Sequence, residues 1–404
     1  MSGDLLVINS GSSSIKFAVF GQDEGEGMDA LAPRYRGHFS GLGDRPRLLI
    51  KDGAGSTLTD EAPAAESAES GRFGHAAAVQ RLLAWLDGQP GFERILAIGH
   101  RVVHGGREHR EPVVLDAPTL ARLEALTPLA PLHQPRSLAP VRLFNALCPS
   151  VPQVACFDTG FHTSQSWVAQ AYALPRRLSE AGIIRYGFHG LSYEYVSRRL
   201  AQHLGGPQTG RAVMAHLGNG ASLCAVHDGV SVASSMGFTT LDGLPMGSRC
   251  GYLDPGVVLH LLQQEGLTPE QVGKLLYRES GLLGVSGISA DMSVLLASGE
   301  PGAREAIELF VHRIVREVGA LTAVLGGLDH LVFTAGIGEH AAPVREAIGK
   351  GCGWLGLTLD AAANAAGIDR ISSADSRVGA WIIPTDEEWM IAHHTRRLCA
   401  GRPG

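Results

Sequence analysis

The chain has 404 residues, a length that predicts two domains rather than one core. Hydrophobic residues make up 45 % of it and charged residues 18 %, which is typical of a well-buried α/β protein. A net charge of −6 without a basic run argues against a nucleic-acid partner. The six cysteines are scattered with no C-x-x-C pair, which predicts reduced thiols and a cytoplasmic location. Neither a signal peptide nor a membrane span is expected at the N-terminus, so no membrane partner is expected.

The N-terminal segment contains a polar turn between two strands. Residues 5–8 are apolar, residues 9–14 are small and polar, and residues 15–19 alternate as a strand with Lys16 on its polar side. Gly11, the serine hydroxyls and the lysine suit a polyphosphate, although an ordinary serine-rich hairpin has the same composition. A Walker A loop is excluded, because its lysine opens a helix instead of lying in a strand. The turn favours ATPases of the actin-like and sugar-kinase-like kind.

The remaining elements follow from apolar runs and helical periodicity. We expect residues 21–78 to be a loosely ordered excursion with one short strand at 48–51. The expected strands are 94–100, 154–157, 211–217, 221–227, 230–234 and 331–334, with Asp228-Gly229 as a hairpin turn. The expected helices are 79–86, 120–126, 141–147, 269–277, 304–325 and one that begins near residue 343 after a Gly-rich loop. Prolines 128, 131, 135 and 140 are expected to separate helix 120–126 from helix 141–147.

Two strand–turn–strand units of the chain are similar to each other. Asn9-x-Gly11 before strand 15–19 parallels His216-x-Gly218 before strand 223–226, with a turn one residue longer in the second unit. An internal duplication explains this similarity. Two such strand–turn–strand units, facing each other, would be expected to bind the phosphates of a nucleotide from both sides.

Nine short motifs give the chain a close resemblance to the acetate kinase (acetokinase) family over nearly its whole length. Each motif alone is weak, but nine in the family's order are specific. They are VINSGSSSIK (7–16), GHRVVHGG (99–106), APLH (130–133), FDTGFH (157–162), YGFHGLS (186–192), HLGNGAS (216–222), MGSRCG (246–251), FTAGIGE (333–339) and TDEE (385–388).

The resemblance implies an α/β fold of two duplicated actin/hexokinase-like (ribonuclease H-like) domains with the active site in the interdomain cleft. It places residues 1–157 with about 389–404 in a first, acyl-kinase domain and residues 158–388 in a second, nucleotide-binding domain. It implies reversible phosphoryl transfer from ATP to acetate, giving acetyl phosphate and ADP. It also implies a homodimer.

Phosphoryl transfer to a carboxylate needs no strong base, but it needs positive groups that hold two anions together. Arginine suits this task because its planar fork matches carboxylate and phosphoryl oxygens. The resemblance implies that Arg101 binds the acyl carboxylate and that Arg249 stabilises charge on the transferring group. It also implies that His189 stabilises the transition state and that Asp158 orients the acceptor.

The resemblance assigns further residues to the two substrates. The acyl methyl group is expected to contact Val103, Leu132, Phe188 and Thr240. The nucleotide is expected to be bound by Lys16, His216, Leu217, Gly218, Asn219, Gly220, Asp291, Met292, Ser293, Gly336, Ile337, Gly338 and His340.

The resemblance also implies a Mg²⁺ site at Asn9 and Glu387, in which Mn²⁺ can substitute. Magnesium needs only one or two carboxylates beside phosphate oxygens and water. A helix N-cap at residues 385–387 is compatible with this role. His100 and His104 have the spacing of a helical zinc motif, but the residues between them favour a strand, and zinc is not expected.

Four positions depart from the family pattern. Ser293 stands where an arginine is usual and His340 where an asparagine is usual, which bears on nucleotide affinity. Thr240 replaces a proline of the acyl pocket, which bears on acyl selectivity. Gln134 replaces the asparagine of the family's Leu-His-Asn-Pro motif.

Three alternatives remain to be weighed. A propionate kinase shares every motif. A sugar kinase or Hsp70-like ATPase has no need of an arginine clamp for a carboxylate, so Arg101 argues against it. A catalytically silent sensor is disfavoured by the complete set of site residues.

Overall fold

The structure is a computed structural model that describes residues 3–11, 14–21, 31–63 and 73–399. The chain divides into two compact units. The first comprises the described residues up to Gly160 and from Asp386 on, and the second comprises Phe161–Thr385. Asp158 and Glu387, which the expected boundaries assign to the second domain, thus lie in the first unit. Ser12 and Ser13 of the polar turn, and residues 22–30 and 64–72 of the expected excursion, lie outside the described residues.

Strands and helices alternate along much of the chain. The strands are β1 (Asp4–Ser10), β2 (Ile15–Phe20), β3 (Pro33–Ser40), β4 (Arg47–Asp52), β5 (Thr57–Glu61), β6 (Ile95–Val102), β7 (Val113–Val114), β8 (Gln153–Phe157), β9 (Arg211–Leu217), β10 (Ala221–His227), β11 (Val230–Ser234), β12 (His330–Thr334) and β13 (Gly379–Ile382). The helices are α1 (His75–Asp87), α2 (Ala117–Ala125), α3 (Gln134–Leu147), α4 (Trp167–Gln170), α5 (Arg176–Glu180), α6 (Gly190–Leu204), α7 (Pro255–Gln263), α8 (Pro269–Arg278), α9 (Gly281–Ser286), α10 (Met292–Ala297), α11 (Pro301–Leu325), α12 (Ala335–His340), α13 (Ala342–Gly351), α14 (Ala361–Ala366) and α15 (Glu387–Cys399).

Each unit is built on one sheet, and the two sheets share a central strand order. In the first unit the order is β5-β4-β3-β2-β1-β6-β8-β7, and in the second it is β11-β10-β9-β12-β13. In the first sheet, β1 pairs antiparallel with β2, which pairs antiparallel with β3, and on its other side β1 pairs in parallel with β6. In the second sheet, β9, β10 and β11 pair antiparallel in the same way, and β9 pairs in parallel with β12. A further parallel strand follows, β8 in the first sheet and β13 in the second. This shared topology confirms the α/β class and supports an internal duplication.

Apolar side chains pack on these sheets in each unit. Phe17 and Phe39 of the first sheet pack with Leu82 of α1 in a buried cluster. In the second unit Met214 and Val332 pack with buried residues of α6. The last helix, α15, packs against β1 and β6 within the first unit. The described residues contain no helix that is both long enough and apolar enough to cross a membrane.

Most elements of regular periodicity were predicted correctly. Strands β9, β10 and β11 have the expected bounds. The hairpin between β10 and β11 turns at Asp228 and Gly229, both with positive φ, at 45° and 77°. That conformation is the one a two-residue hairpin turn requires.

The expectation of a loosely ordered excursion is wrong for the described part of residues 21–78. Strands β3, β4 and β5 extend the first sheet from β2. A Cβ built on Gly37 would lie 2.1 Å from the ring of Phe17, so only glycine lets this ring pack across β3. Phe39, Leu48 and Ile50 are completely buried. These few apolar residues order a segment whose composition is otherwise polar.

Two further local expectations need correction. Pro140 does not separate helices, because α3 continues through it. The proline lies on the buried side of the helix with Leu138 and Phe144, and this packing offsets the missing hydrogen bond. The expected Gly-rich loop after β12 contains the short helix α12.

Candidate active site

In the first unit, three polar side chains lie at the carboxyl ends of neighbouring parallel strands. Asn9 is near the end of β1, Arg101 near the end of β6, and Asp158 directly follows β8. These strands are adjacent and parallel in the order β1, β6, β8. Ligands of open α/β sheets bind at such carboxyl ends.

Arg101 is the centre of a hydrogen-bonded cluster. Its Nε and Nη2 donate to the two carboxylate oxygens of Asp158 at 2.8 and 2.6 Å, and its Nη1 donates to Asn9 Oδ1 at 3.3 Å. Glu387 Oε2 lies 3.6 Å from Arg101 Nε and accepts from Asn9 Nδ2 at 3.3 Å. The Asp158 side chain is 3 % exposed, whereas that of Arg101 is 24 % exposed. The cluster therefore combines a buried anion with an accessible cation.

The charges of this cluster do not cancel. Burial acts to lower the pKa of Arg101, but Asp158 and Glu387 raise it well above its usual value. Two carboxylates thus face one permanent cation. The excess negative charge and the amide oxygen of Asn9 form a set of hard oxygen donors, which fits a cation such as Mg²⁺.

Arg36 and Glu388, which the sequence analysis did not single out, lie next to this cluster, as does Asp386 of the expected N-cap. Arg36, on β3, forms ion pairs with Asp386 and Glu388 on either side of Glu387. Asp386 Oδ1 also accepts a hydrogen bond from Trp389 N and so caps α15. Burial, followed by Glu387, raises the pKa of Glu388. The expected N-cap and the carboxylate of Glu387 are therefore compatible, and Arg36 holds the helix start on the sheet.

In the second unit, two histidines stack beside the carboxyl end of β9. The rings of His189 and His216 are 4.1 Å apart and inclined by 18°. His189 Nδ1 lies 2.8 Å from Ser222 Oγ, and His216 Nδ1 lies 2.8 Å from Ser192 Oγ. His189 immediately precedes α6 in the left-handed conformation, with φ of 59°. This unusual conformation and the serine contact fix the direction of its Nε2 atom.

The side chains of Arg249 and His189 both approach Gly220. A Cβ built on Gly220 would lie 3.4 Å from His189 Nε2 and 3.8 Å from Arg249 Nη1. Arg249 donates to Thr240 O at 3.1 Å and contacts Met246 Sδ at 3.6 Å. No carboxylate of the described residues pairs with it, and burial lowers its pKa. A desolvated cation without an acidic partner is suited to bind an anion.

A pocket of about 460 Å³ lies in the second unit. Residues expected to bind the nucleotide line it, namely Gly218, Asn219, Asp291, Met292, Ser293, Gly336, Ile337 and His340. Ala290, Leu296 and Ala341 complete the lining and were not predicted. Asp291 Oδ1 accepts from both the backbone N and the Oγ of Ser293, at 2.8 and 2.7 Å. The size of the pocket and its partly apolar lining suit a nucleoside.

The other expected residues are distributed between the units. His216, Leu217, Gly220 and Gly338 do not line the pocket, although they belong to segments next to it. Lys16 is exposed on β2 of the first unit, where its charge acts on Glu388. Among the acyl residues, Val103 and Leu132 are half-buried in the first unit. Phe188 and Thr240 belong to the second unit, and Phe188 is 1 % exposed.

Gln134, one of the departures from the family pattern, has a structural role. Its Nε2 donates to His104 O and Leu123 O at 3.0 and 3.1 Å, and its Oε1 accepts from His104 N at 3.1 Å. The side chain is completely buried. It thereby anchors the segment that follows Arg101. The described residues contain no group of three or more His, Cys, Asp or Glu side chains placed to hold a metal ion.

Comparisons with known proteins agree with this architecture. A solved propionate kinase from Francisella tularensis is 36 % identical and superposes with a TM-score of 0.89, covering 98 % of this chain and 99 % of that one. A solved acetate kinase from Porphyromonas gingivalis is 34 % identical with a TM-score of 0.85, over the same shares. The chain is therefore a two-domain α/β protein of the actin-like class.

The family model described as the acetokinase family matches residues 4–393. The acetate kinase of Rhodopseudomonas palustris is 52 % identical over 99 % of this chain and 100 % of its own length. The chain belongs to the acetokinase family.

Proposed function

We propose that the protein is an acetate kinase, which transfers the γ-phosphoryl group of ATP to acetate and forms acetyl phosphate and ADP, reversibly and with Mg²⁺. The observation that supports this most directly is Arg249, a desolvated cation without a carboxylate partner beside His189 Nε2. The transferring phosphoryl group carries negative charge and needs such groups already in place. Curated relatives at about half identity bear the name acetate kinase.

The carboxylate acceptor is assigned to Arg101. Asp158 and Asn9 use three of the five guanidinium N–H groups, so one N–H on each terminal nitrogen is available to a substrate carboxylate. Asp158 fixes the plane of the guanidinium through its two-point contact. The substrate is already ionised at neutral pH, so these residues orient it and need not remove a proton.

The magnesium ion is assigned to Glu387 and Asn9, with Asp158 nearby. All three supply oxygen atoms, which this ion prefers, and the cluster carries excess negative charge. Bound magnesium would offset the charge of the phosphate oxygens. Arg36 contributes by holding the residues on either side of Glu387.

The nucleotide is assigned to the pocket lined by Asp291, Ser293 and His340. The carboxylate oxygen of Asp291 that does not bind Ser293 can accept from ribose hydroxyls. Phosphates would then extend past Gly218 and Asn219 toward Gly220.

Propionate phosphorylation is the second candidate. A solved relative named propionate kinase is similar to this chain, and Thr240 departs from the usual proline in the expected acyl pocket. The two activities differ only in the size of the acyl chain that is accepted.

We also propose a cytoplasmic homodimer. All six cysteines are free thiols, in keeping with a reducing compartment. Large apolar side chains of the second unit are exposed, among them Tyr252, Val257 and Leu259, and a second copy could cover them. Sedimentation of the purified chain tests this, and a monomer at micromolar concentration would contradict it.

The function is tested by trapping the acyl phosphate as its hydroxamate with formate, acetate, propionate and butyrate. We expect ATP-dependent product with acetate, its loss when EDTA removes divalent cations, and its recovery with Mg²⁺. A matched control is Asp329→Asn, which removes an ion pair with Arg211 of the second unit. ATP hydrolysis without any acyl phosphate would contradict the proposal.

A further inference from the structure

A second arginine of the second unit, Arg185, binds a neighbouring loop at several points. Its Nη1 donates to Asp242 Oδ2 at 3.0 Å, and its Nη2 donates to Ser234 O and Ser235 O at 3.2 and 3.0 Å. Glu317 of α11 also faces this arginine; burial raises its pKa, and Arg185 acts against that rise. Arg185 therefore ties both ends of the loop 234–242 to one point.

Two hydrogen bonds hold the middle of the loop 234–242 against Tyr172 and Tyr186. Tyr172 Oη accepts from Phe238 N at 2.8 Å, and Gly237 O accepts from Tyr186 N at 3.0 Å. A Cβ built on Gly237 would lie 2.2 Å from Tyr172 Oη and 2.5 Å from Asp242 Oδ2. The loop backbone thus passes through a space that only glycine fits. Tyr186 in turn lies three residues before His189.

Among the described residues, the only main-chain carbonyl that accepts a hydrogen bond from the Arg249 guanidinium belongs to this loop. Arg249 Nη1 donates to Thr240 O at 3.1 Å, and its other contact is the weak one to Met246 Sδ. A guanidinium without a carboxylate partner has no strong charge to hold it in place. The position of the Arg249 guanidinium therefore depends on the position of the Thr240 carbonyl. Thr240 lies two residues before Asp242.

We propose that the Arg185–Asp242 ion pair is a positioning device for catalysis, which holds the Thr240 carbonyl and through it the guanidinium of Arg249. The inference rests on the proposed function, because Arg249 must meet a transferring phosphoryl group. Neither Arg185 nor Asp242 lines the nucleotide pocket. Loosening the pair should therefore slow the chemical step without weakening nucleotide binding.

The test is a double-mutant cycle between Asp242→Asn and Arg249→Ala, measured on the full chain with acetate and ATP. Asp242→Asn should lower kcat by about tenfold to a hundredfold, because displacements of a catalytic group by about 1 Å have effects of this size. The KM for ATP should change by less than about threefold. In the Arg249→Ala background the same substitution should lower the remaining rate by less than about twofold, since the group it positions is already gone.

Matched variants separate positioning from general damage. Asp329→Asn breaks a comparable Arg–Asp pair of the second unit and should leave kcat unchanged. Tyr172→Phe removes the hydroxyl that accepts from Phe238 N and also contacts Arg185. It should give a smaller loss of kcat with the same coupling to Arg249, so it replaces Asp242→Asn if that variant does not fold.

Equal rate losses in both backgrounds, or an unchanged kcat in Asp242→Asn, would overturn the inference. An active wild-type enzyme with such a result would leave the proposed function intact. A wild-type chain that forms no acyl phosphate would overturn the proposed function and the role of the pair together.

Discussion

Arg101 and Asp158 form a two-point ion pair across the carboxyl ends of β6 and β8, with N–O distances of 2.8 and 2.6 Å. Asp158 is almost completely buried, and this arginine is its counter-ion. The pair leaves one edge of the guanidinium for a substrate. Arg101 is thus a structural counter-ion and, under the proposed function, also a substrate contact, and the two roles can be measured separately.

Arg101→Ala should raise the KM for acetate by about 30-fold to 700-fold, because a charged two-point contact is worth about 2–4 kcal/mol. The KM for ATP should change little. Removal of the cation should also lower the free energy of unfolding, since the buried carboxylate of Asp158 loses its two-point contact with Arg101. Steady-state kinetics and urea unfolding on one preparation test both effects. An unchanged KM for acetate would remove Arg101 from the substrate site.

His189 should be tested as asparagine, because its left-handed conformation penalises alanine by about 1–2 kcal/mol, whereas asparagine tolerates it. We expect kcat to fall by about two to three orders of magnitude with little change in either KM, as for a contact made mainly in the transition state. Thermal unfolding of the variant is the control. Full turnover by the folded variant would show that the ring only packs on His216.

The expected residues of both sites were found from motifs, yet their partners depended on tertiary structure. The pattern around Arg101 and Asp158 indicated a charged site. It did not indicate that Asp158 would accept hydrogen bonds from Nε and Nη2 of the Arg101 guanidinium. Arg36 was missed because it lies in a polar segment that was expected to be loosely ordered, and only burial of Phe39 and Ile50 orders it. Arg185 and Asp242 are 57 residues apart, and no local signal pairs them.

Acid should destabilise the fold between about pH 6.5 and pH 4. Burial lowers the pKa of His100, His104 and His162 to about 4 each, below the value of about 6.5 in the unfolded chain. The unfolded state thus binds more protons in this window, so their stabilisation is complete above pH 6.5 and is lost as pH falls toward 4. Urea unfolding at pH 7.5, 6.0 and 5.0 measures the slope.

The variant His162→Gln separates the contribution of a buried histidine to the pH dependence of stability from the contributions of other titratable groups. Burial raises the pKa of Glu317 and of Glu388, which acts in the opposite direction. His162→Gln should reduce the pH dependence by the share of one buried histidine, because glutamine can keep the contacts to Ser231 and Phe188 without a proton to gain. An identical slope in this variant would contradict the assignment.

The nucleotide pocket should discriminate weakly between bases. Ser293 bonds to Asp291 and places no cation there to stack on or bond to adenine. His340, also part of the lining, is exposed. We expect GTP or ITP to support at least about a tenth of the ATP rate, since one missing contact is worth about 1–2 kcal/mol. Ser293→Arg should lower the ratio of GTP to ATP rates. Strict dependence on ATP in the wild type would refute this prediction.

Thr240 should widen the range of acyl substrates. Its carbonyl binds Arg249, while its N–H makes no hydrogen bond within the described residues, so Thr240→Pro would remove no backbone bond and would keep the carbonyl. Relative to proline, threonine leaves φ free and adds a hydroxyl, which makes a softer and more polar wall.

One methylene in an apolar pocket changes selectivity by about 1–3 kcal/mol, so a small change of this wall has a measurable effect. We expect acetate to be the best substrate, propionate to reach at least about a tenth of its kcat/KM, and butyrate to react poorly. Thr240→Pro should sharpen the preference for acetate while kcat with acetate stays within about threefold, because the contact to Arg249 remains. Rejection of propionate by more than about a hundredfold in the wild type would mean that Thr240 does not widen the pocket, whereas a clear preference for propionate would make the protein a propionate kinase.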